Sequence, residues 1–395
     1  MEGITSPKGF KAAGVRCGIK TRGKDLAMIV SDYPASCAGV FTTNRVQAAS
    51  VVYSREVVSQ GRMRAIVVNS GCANCCTGQQ GEANNRRMAI LASEVLDIPS
   101  HEIAIASTGV IGAQLPMNQV ETGIRQAARL LTREAGGNEA AEAIMTTDLA
   151  PKKAASAFEI EGNWVRIGGI AKGSGMIAPN MATMLAFLTT DALISPALLQ
   201  NALASATDRS FNCMTVDGDT STNDSLIIMA NGASKAKIEP DTPAYEEFYN
   251  TLETVCISLA KQVARDGEGA TKLIEILVKG APSQMDARKV GKTIGESPLV
   301  KTAMFGSDPN WGRIMAAAGR SGVTFDPDDA TLDIVGSRVF EYGQPTSFNE
   351  AEVSQMLRRP EVSIVLDLGA GQDEATVWTC DLSMDYIRIN ADYRT

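Results

Sequence analysis

Short apolar runs bounded by glycine, asparagine, aspartate or serine recur along the chain, and this pattern predicts β-strands. Most of the runs are four to nine residues long, and they show no repeating period. The predicted strands are Leu26–Val30, Ala65–Val68, Phe158–Glu161, Trp164–Ile170, Met184–Thr189, Leu226–Met229, Leu273–Val278, Val362–Leu368 and Ala375–Cys380.

Between these strands, apolar residues recur three or four positions apart, which predicts amphipathic helices. Pro196 stands at the first position of one such segment, where proline is tolerated, and Pro360 stops another. The predicted helices are Glu82–Leu96, Gln119–Arg133, Pro196–Arg209, Tyr245–Val263 and Asn349–Arg358.

The order of the elements predicts a mixed α/β (α+β) fold. Phe158–Glu161 and Trp164–Ile170 follow each other directly, so a purely parallel, doubly wound sheet is not expected. A chain of 395 residues corresponds to two or three domains or to one large α/β domain. No low-complexity linker divides it. The positions at which a flexible joint between segments is most expected are Gly136-Gly137, Asn231-Gly232 and Asp326–Asp329.

The composition excludes several classes of chemistry. The chain has one histidine, His101, so two-histidine zinc sites are impossible within one chain and a Ser-His-Asp triad would have to use it. With 37 Lys and Arg against 45 Asp and Glu, the net charge is −8, which argues against a nucleic-acid partner. The polar context of His101 predicts an exposed surface histidine without a catalytic role.

The N-terminal residues contain no apolar segment typical of a secretory signal, and no apolar run approaches the length of a membrane span. We therefore expect a cytoplasmic protein whose eight cysteines are reduced. Cys72, Cys75 and Cys76 form a Cys-x-x-Cys pattern, but a structural zinc site needs a second ligand pair. We interpret them as small packed residues and predict no metal.

Known phosphate and calcium loops do not match. Gly173-Ser174-Gly175 lacks the third glycine of a dinucleotide fingerprint, and Asp217–Thr222 lacks the glycine of a calcium-binding loop. What remains is a set of polar, glycine-rich segments beside predicted strands, typical of a small-molecule enzyme. These segments are Ser107–Gly112, Thr146–Asp148, Ala171–Met176, Asp266–Lys272 and Ser307–Arg313.

At these segments the chain resembles the ornithine acetyltransferase family, the glutamate N-acetyltransferases of arginine biosynthesis. The resemblance covers essentially the full length, and its motifs occur in order along the chain. They are Gly9–Gly14, Ala38–Asn44, Asn69–Asn74, Ser107–Gly112, Lys172–Leu185, Thr215–Asp224, Asp266–Lys272 and Arg388–Thr395.

The resemblance implies a precursor that cuts itself between Ala182 and Thr183. The products would be an α chain, residues 1–182, and a β chain, residues 183–395, which begins with the nucleophile Thr183. A threonine hydroxyl needs a base, and an α-amine has a pKa of about 7.7–8.0. The new α-amine can therefore accept the hydroxyl proton of its own residue.

The resemblance also implies the reaction and its residues. Thr183 would take the acetyl group of N-acetylornithine and pass it to glutamate by a ping-pong route, with Thr108 and Gly109 as the oxyanion hole. No cofactor is implied, and the use of acetyl-CoA as a second donor stays open. The implied substrate-binding residues are Thr146, Lys172, Thr183, Glu268, Asn390 and Thr395, with Thr147 as an alternative to Thr146.

The implied architecture is a layered sandwich of helices and sheets of the ornithine acetyltransferase and N-terminal-nucleophile aminopeptidase type, assembled as an α₂β₂ heterotetramer. Two other functions stay open at this point. One is an N-terminal-nucleophile aminopeptidase or amidase that uses water as acceptor. The other is a non-catalytic binding protein, for which neither self-cleavage nor acetyl transfer is expected.

Overall fold

The computed structural model describes residues 3–178 and 184–392. Within these ranges, two large sheets and one two-stranded sheet form the framework of the molecule. The strands are β1 (Phe10–Val15), β2 (Leu26–Phe41), β3 (Arg62–Cys72), β4 (Ile103–Val110), β5 (Lys152–Ile160), β6 (Asn163–Lys172), β7 (Leu185–Thr190), β8 (Leu193–Ile194), β9 (Ser225–Ala230), β10 (Lys237–Ile238), β11 (Leu273–Ala281), β12 (Thr331–Ile334), β13 (Ser337–Glu341), β14 (Gln344–Pro345), β15 (Glu361–Asp367) and β16 (Asp373–Cys380).

The first sheet has the order β4-β3-β2-β9-β7-β6-β5, with β1 paired to β2. It mixes both orientations: β3 and β4 are parallel, β7 and β9 are parallel, and β5 and β6 form an antiparallel hairpin. The second sheet has the order β14-β13-β12-β15-β11-β16. The expectation that neighbouring strands exclude a purely parallel sheet is confirmed.

The helices lie between the strands and cover both sheets. Ser195 accepts a hydrogen bond from the Leu198 amide at the start of one helix, and Thr242 accepts one from the Tyr245 amide at the start of another. The helices are α1 (Ala49–Ser59), α2 (Gly78–Leu96), α3 (Met117–Arg129), α4 (Gly136–Ala143), α5 (Pro196–Arg209), α6 (Pro243–Arg265), α7 (Gln284–Gly295), α8 (Pro298–Phe305), α9 (Trp311–Gly319), α10 (Glu350–Met356) and α11 (Met384–Asp392).

The prediction of a joint at Gly136-Gly137 is wrong. Both glycines are buried and begin α4, which packs against β1. A Cβ atom on Gly136 would lie 1.8 Å from the carbonyl oxygen of Ala12, so glycine is needed there for close packing rather than for a flexible link. The preceding helix, α3, ends at Arg129, earlier than the predicted Arg133.

Helices fill the space between and around the sheets, which confirms the mixed α/β layered fold. α6 packs against β5 and β6 of the first sheet and also against β11 and β16 of the second. The largest hydrophobic core joins this helix, α5 and α7 to both sheets. Two further cores join the first sheet to α1 and α4 and to α2 and α3. No helix in the described ranges is both long enough and apolar enough to cross a membrane.

The two sides of the expected cleavage position are interleaved in the first sheet. β6, which precedes it in the chain, is antiparallel to β7, which follows it, with Lys172 opposite Leu185. β2, from the early part of the chain, pairs with β9 from the later part. The expected division into residues 1–182 and 183–395 therefore does not separate two structural domains.

Candidate active site

Six of the residues expected at the site line one cleft of about 270 Å³. They come from separate parts of the chain: the end of β4, the loop before β5, the end of β6, the loop after α6, and α11. These residues are Thr108, Gly109, Thr146, Lys172, Glu268 and Asn390. The other expected site residues, Ala182, Thr183 and Thr395, lie outside the described residues.

Gly109 occupies a backbone position that other residues could not adopt without strain. Its φ angle is +127°, in a region that favours glycine. β3 and β4 also approach closely here, and a Cβ atom on Gly109 would lie 2.3 Å from the carbonyl carbon of Gly71. The register of the two strands shifts between Gly71 and Cys72, which places this irregular backbone at the wall of the cleft.

Lys172 is a buried cation whose ammonium group reaches the Thr108 hydroxyl. The distance from Nζ to Oγ1 is 3.2 Å. Burial lowers the pKa of Lys172, while the charge of Asp148 acts in the opposite direction and the charge of Lys152 adds to the lowering. Within the described part of the chain, Thr108 is the hydrogen-bond partner of this ammonium group, and its remaining donors suit an anionic group such as a carboxylate.

Asp148 holds the backbone on which two of the expected substrate-binding residues lie. Its carboxylate accepts hydrogen bonds from the amides of Thr146 and Gly173, at 3.0 and 2.7 Å, and from the ammonium of Lys152 at 2.6 Å. Burial alone would raise the pKa of Asp148, but the charges of Lys152 and Lys172 outweigh it and hold that pKa well below its usual value. Asp148 belongs to the polar segment Thr146–Asp148, but the sequence alone indicates no role for it.

Glu268 lines the same cleft and is held by α11 and by the glycine-rich loop after β6. Its Oε2 accepts a hydrogen bond from the Asn390 side-chain amide at 2.8 Å, and its backbone amide donates to the Ser174 carbonyl at 2.8 Å. A Cβ atom on Gly175 would lie 2.5 Å from Oε2, so the absence of a side chain there makes room for the carboxylate. Thr146 and Thr147 both line the cleft, and Thr147 also shares a hydrogen bond with Ser174.

Asp217 connects the loop after β6 to α11. It accepts hydrogen bonds from the amides of Met176 and Ile177, at 2.7 and 2.8 Å, and from the Tyr386 hydroxyl at 3.4 Å. Burial raises the pKa of Asp217 despite these donors. Burial also raises the pKa of Tyr386, and the charge of Asp217 adds to that effect. Tyr386 lies outside every predicted helix and strand, so no sequence pattern indicates it.

Asp224 is a buried carboxyl group immediately before β9. In the described part of the chain, its Oδ2 atom has no hydrogen-bond partner. Burial raises the pKa of Asp224 well above its usual value, although Ser221 and the charge of Lys172 oppose the shift. The next residue, Ser225, donates its amide to the carbonyl of Met184 at 3.0 Å. Asp224 therefore lies beside the point at which the chain enters β7.

The residues for which no catalytic or metal-binding role is predicted lie at the surface or in the packed interior. His101 is exposed, and Cys72 and Cys75 are buried free thiols, whereas Cys76 is exposed. Trp311 stacks on Phe340 with 5.5 Å between ring centroids and packs against the largest core. Among the described residues, no group of three or more His, Cys, Asp or Glu side chains is arranged to hold a metal ion.

Comparison with known proteins identifies the family. The model of the ArgJ family matches residues 11–395. The arginine biosynthesis bifunctional protein ArgJ of Symbiobacterium thermophilum is 53% identical, over 100% of this chain and 98% of that protein. The protein of the same name from Synechocystis sp. is 51% identical, over 99% of this chain and 98% of the relative.

A solved structure gives a consistent result. The crystal structure of arginine biosynthesis bifunctional protein argJ from Bacillus halodurans is 44% identical, with a TM-score of 0.51. The match covers 52% of this chain and 97% of that chain. The resemblance drawn from the motifs is thus confirmed over nearly the whole length, and the chain belongs to the ArgJ family.

Proposed function

We propose that this protein is an acetyltransferase of arginine biosynthesis that moves the acetyl group of N-acetylornithine to glutamate. The observation that carries the proposal is the convergence of Thr108, Gly109, Lys172, Glu268 and Asn390 on one cleft. Thr108 and Gly109 supply a polar, glycine-containing backbone, Lys172 and Glu268 bring opposite charges to the same cleft, and Asn390 adds a neutral amide. Relatives that match the full length are named as proteins of arginine biosynthesis.

The charges of the cleft suit substrates that are amino acids. In the proposed complex, the Lys172 ammonium pairs with a substrate carboxylate and the Glu268 carboxylate pairs with a substrate ammonium group, both through charge-assisted hydrogen bonds. Asn390 holds Glu268 and offers a neutral hydrogen bond, and Thr146 adds another. We assign Thr395 to the same set of substrate contacts on the strength of the family resemblance.

Thr183 is the proposed nucleophile, made available by cleavage of the bond between Ala182 and Thr183. Its hydroxyl oxygen attacks the carbonyl carbon of the acetyl group, and its own α-amine takes the hydroxyl proton. The negative oxygen that develops is bound by Thr108 and Gly109, an arrangement in which each donor contributes about 10²–10³ in rate. The amine of ornithine leaves with the proton, and an acetyl ester remains on Thr183.

The second half of the reaction reverses these steps with a new acceptor. The amine of glutamate attacks the ester carbonyl, the Thr183 hydroxyl is restored, and N-acetylglutamate leaves. Because the relatives are named bifunctional, we extend the proposal to acetyl-CoA as a second acetyl donor that loads the same hydroxyl. No further cofactor is part of the proposed reaction, and we place the enzyme in the cytoplasm.

Cleavage would yield two chains that stay together. The proposed α chain, residues 1–182, and β chain, residues 183–395, both contribute strands to the first sheet, and β6 lies hydrogen-bonded to β7. Separating them would break backbone ladders in the centre of that sheet. We propose that two α and two β chains form the working heterotetramer.

The function is tested by incubating the purified protein with N-acetylornithine and glutamate and measuring both products. We expect ornithine and N-acetylglutamate in equal amounts. Free acetate without N-acetylglutamate would instead identify a hydrolase. If N-acetylornithine is not consumed, the result would support a non-catalytic binding protein. A denaturing gel tests the cleavage: we expect two bands in place of one band at 41.8 kDa, and a single band for Thr183→Ala.

A further inference from the structure

A buried group of three charges lies behind the wall of the cleft, and the proposed reaction does not use it. The Lys152 ammonium lies between the carboxylates of Asp148 and Asp266, at 2.6 Å from each. The exposed fractions of the three side chains are 2% for Lys152, 0% for Asp148 and 13% for Asp266. We call Asp148, Lys152 and Asp266 the buried triad.

The buried triad joins three segments that line the cleft. Asp148 binds the amides of Thr146 and Gly173, and so connects the loop before β5 to the residue that follows Lys172. Asp266 accepts a hydrogen bond from the Leu149 amide at 3.0 Å and stands two residues before Glu268. Lys152 draws both carboxylates together, although 114 positions separate it from Asp266.

Lys172 and Lys152 act on the same carboxylate. The charge of Asp148 acts on Lys172, and the charge of Lys152 opposes it. Yet the hydrogen bond of the Lys172 ammonium within the described ranges is to Thr108 Oγ1, whereas Asp148 Oδ1 is held by Lys152. A buried carboxylate binds the nearest available cation, because an uncompensated charge away from water is strongly unfavourable.

We propose that Lys152 is a positioning residue that neutralises Asp148 and thereby keeps the Lys172 ammonium available for the carboxylate of the substrate. Without Lys152, Asp148 would pair with Lys172 and compete with the substrate for its donors. The buried triad thus sets the affinity of the cleft for amino-acid carboxylates without touching the substrate. This inference rests on the proposed function, since it takes Lys172 as the carboxylate-binding group.

The test compares Lys152→Met with the double variant Asp148→Asn/Lys152→Met. For the single variant we expect KM for N-acetylornithine and for glutamate to rise about tenfold, because one charge-assisted hydrogen bond to the substrate is lost. We expect a smaller change in kcat. The double variant removes the competing carboxylate as well, so both KM values should return toward those of the wild type. A merely structural role would lower the melting temperature of Lys152→Met, because Asp148 is left as an uncompensated buried charge, but it would not raise KM selectively over kcat.

The pH profile gives an independent readout. Loss of the Lys172 proton would remove the cation that binds the substrate carboxylate, so we expect it to contribute an alkaline limb to kcat/KM. In Lys152→Met the limb should move to higher pH, since a repelling charge is lost and Asp148 is left to stabilise the Lys172 cation. In Asp148→Asn it should move to lower pH, since the attracting charge is lost. Asp148→Asn keeps Lys152 paired with Asp266, and an unmoved limb in this variant would contradict the coupling of Asp148 to Lys172, so the inference can be overturned even if Lys152→Met does not fold.

Lys153→Met is the matched control, because Lys153 is the next residue of β5 and its ammonium binds Asn138 at the surface. Its KM values and pH profile should equal those of the wild type. All rates are normalised to the amount of cleaved protein, which is measured on a denaturing gel. If the wild type transfers acetyl groups but Lys152→Met has unchanged KM values and an unmoved limb, or the double variant is the more impaired, the inference is wrong. If the wild type transfers no acetyl group, the proposed function itself fails.

Discussion

The Lys172 ammonium donates a hydrogen bond to the Thr108 hydroxyl across 3.2 Å, and this contact joins the ends of β6 and β4 inside the cleft. The two strands are not neighbours in the first sheet, since β3, β2, β9 and β7 lie between them. A cation assigned to the substrate carboxylate is therefore held by a residue assigned to the oxyanion hole. In the proposed reaction, this contact would couple binding of the substrate to stabilisation of the reacting carbonyl.

Thr108→Val removes this hydroxyl while keeping the shape of the side chain. We expect kcat for acetyl transfer to fall about 10²–10³-fold, as for the loss of one oxyanion donor, with little change in melting temperature. Thr108→Ser, which keeps the hydroxyl, is the control and should stay within about threefold of the wild type. An equal loss in both variants would contradict the donor role, because Thr108→Ser keeps the hydroxyl.

Gly109→Ala should destabilise the protein as well as inactivate it. The new Cβ atom would meet Gly71 at 2.3 Å, and the φ angle of +127° adds backbone strain. We expect the free energy of unfolding to fall by more than about 2 kcal/mol. Gly112→Ala is the matched control, because Gly112 has a φ of +81° but nothing within 4 Å of the added atom. Equal melting temperatures for the two variants would contradict the close approach at Gly109.

Gly175→Ala tests the position of Glu268. The added methyl group would lie 2.5 Å from Oε2, so the carboxylate must move and its hydrogen bond with Asn390 must lengthen. We expect KM for the acetyl acceptor to rise about tenfold through the loss of one charge-assisted contact. Steady-state kinetics at varied glutamate measure it, with Gly319→Ala, where the added atom meets nothing within 4 Å, as control. An unchanged KM would remove Glu268 from the binding site.

Asp224→Asn should make the stability of the protein less dependent on pH. Burial raises the pKa of Asp224 well above 3.8, so the folded state keeps this proton at pH values where the unfolded chain has lost it. The stability of the wild type therefore falls as pH rises above 3.8 through the folded pKa, and this loss is absent in the asparagine variant. Melting curves between about pH 4 and about pH 8 measure the difference.

The variant should accordingly melt higher than the wild type near neutral pH, and the advantage should shrink toward the acid end. A difference that stays constant with pH would show that Asp224 ionises normally in the folded protein. Ser225→Ala changes the neighbouring residue without changing a charge, and its melting temperature relative to the wild type should be independent of pH.

The sequence predicts elements whose signals are local. α5 matches the predicted Pro196–Arg209 because its proline, serine cap and apolar spacing all lie within a few residues. Local signals gave the wrong prediction at Gly136-Gly137, because the glycines there allow close packing against β1 and do not form a flexible joint. Glycine permits both, and only the position of the partner strand distinguishes them.

The site could be predicted only in part. Lys172 and Glu268 were found through the family motifs, whereas periodicity alone would have left them as surface charges. The role of Lys152 could not be predicted, because it is a residue of strand β5 and its partner Asp266 is distant in sequence. The position of Tyr386 at the site could not be predicted either, because 169 positions separate it from its partner Asp217. Ion pairs and hydrogen bonds across such distances leave no local pattern.

The central claim is that Thr183, freed by cleavage, carries the acetyl group between donor and acceptor. The most direct measurement is the mass of the fragment beginning at residue 183, taken after incubation with N-acetylornithine alone and again after addition of glutamate. We predict one added acetyl group, located on Thr183, that disappears as N-acetylglutamate forms. A fragment that never gains the acetyl group while N-acetylglutamate is produced, or a protein that transfers acetyl groups without being cut, would contradict it.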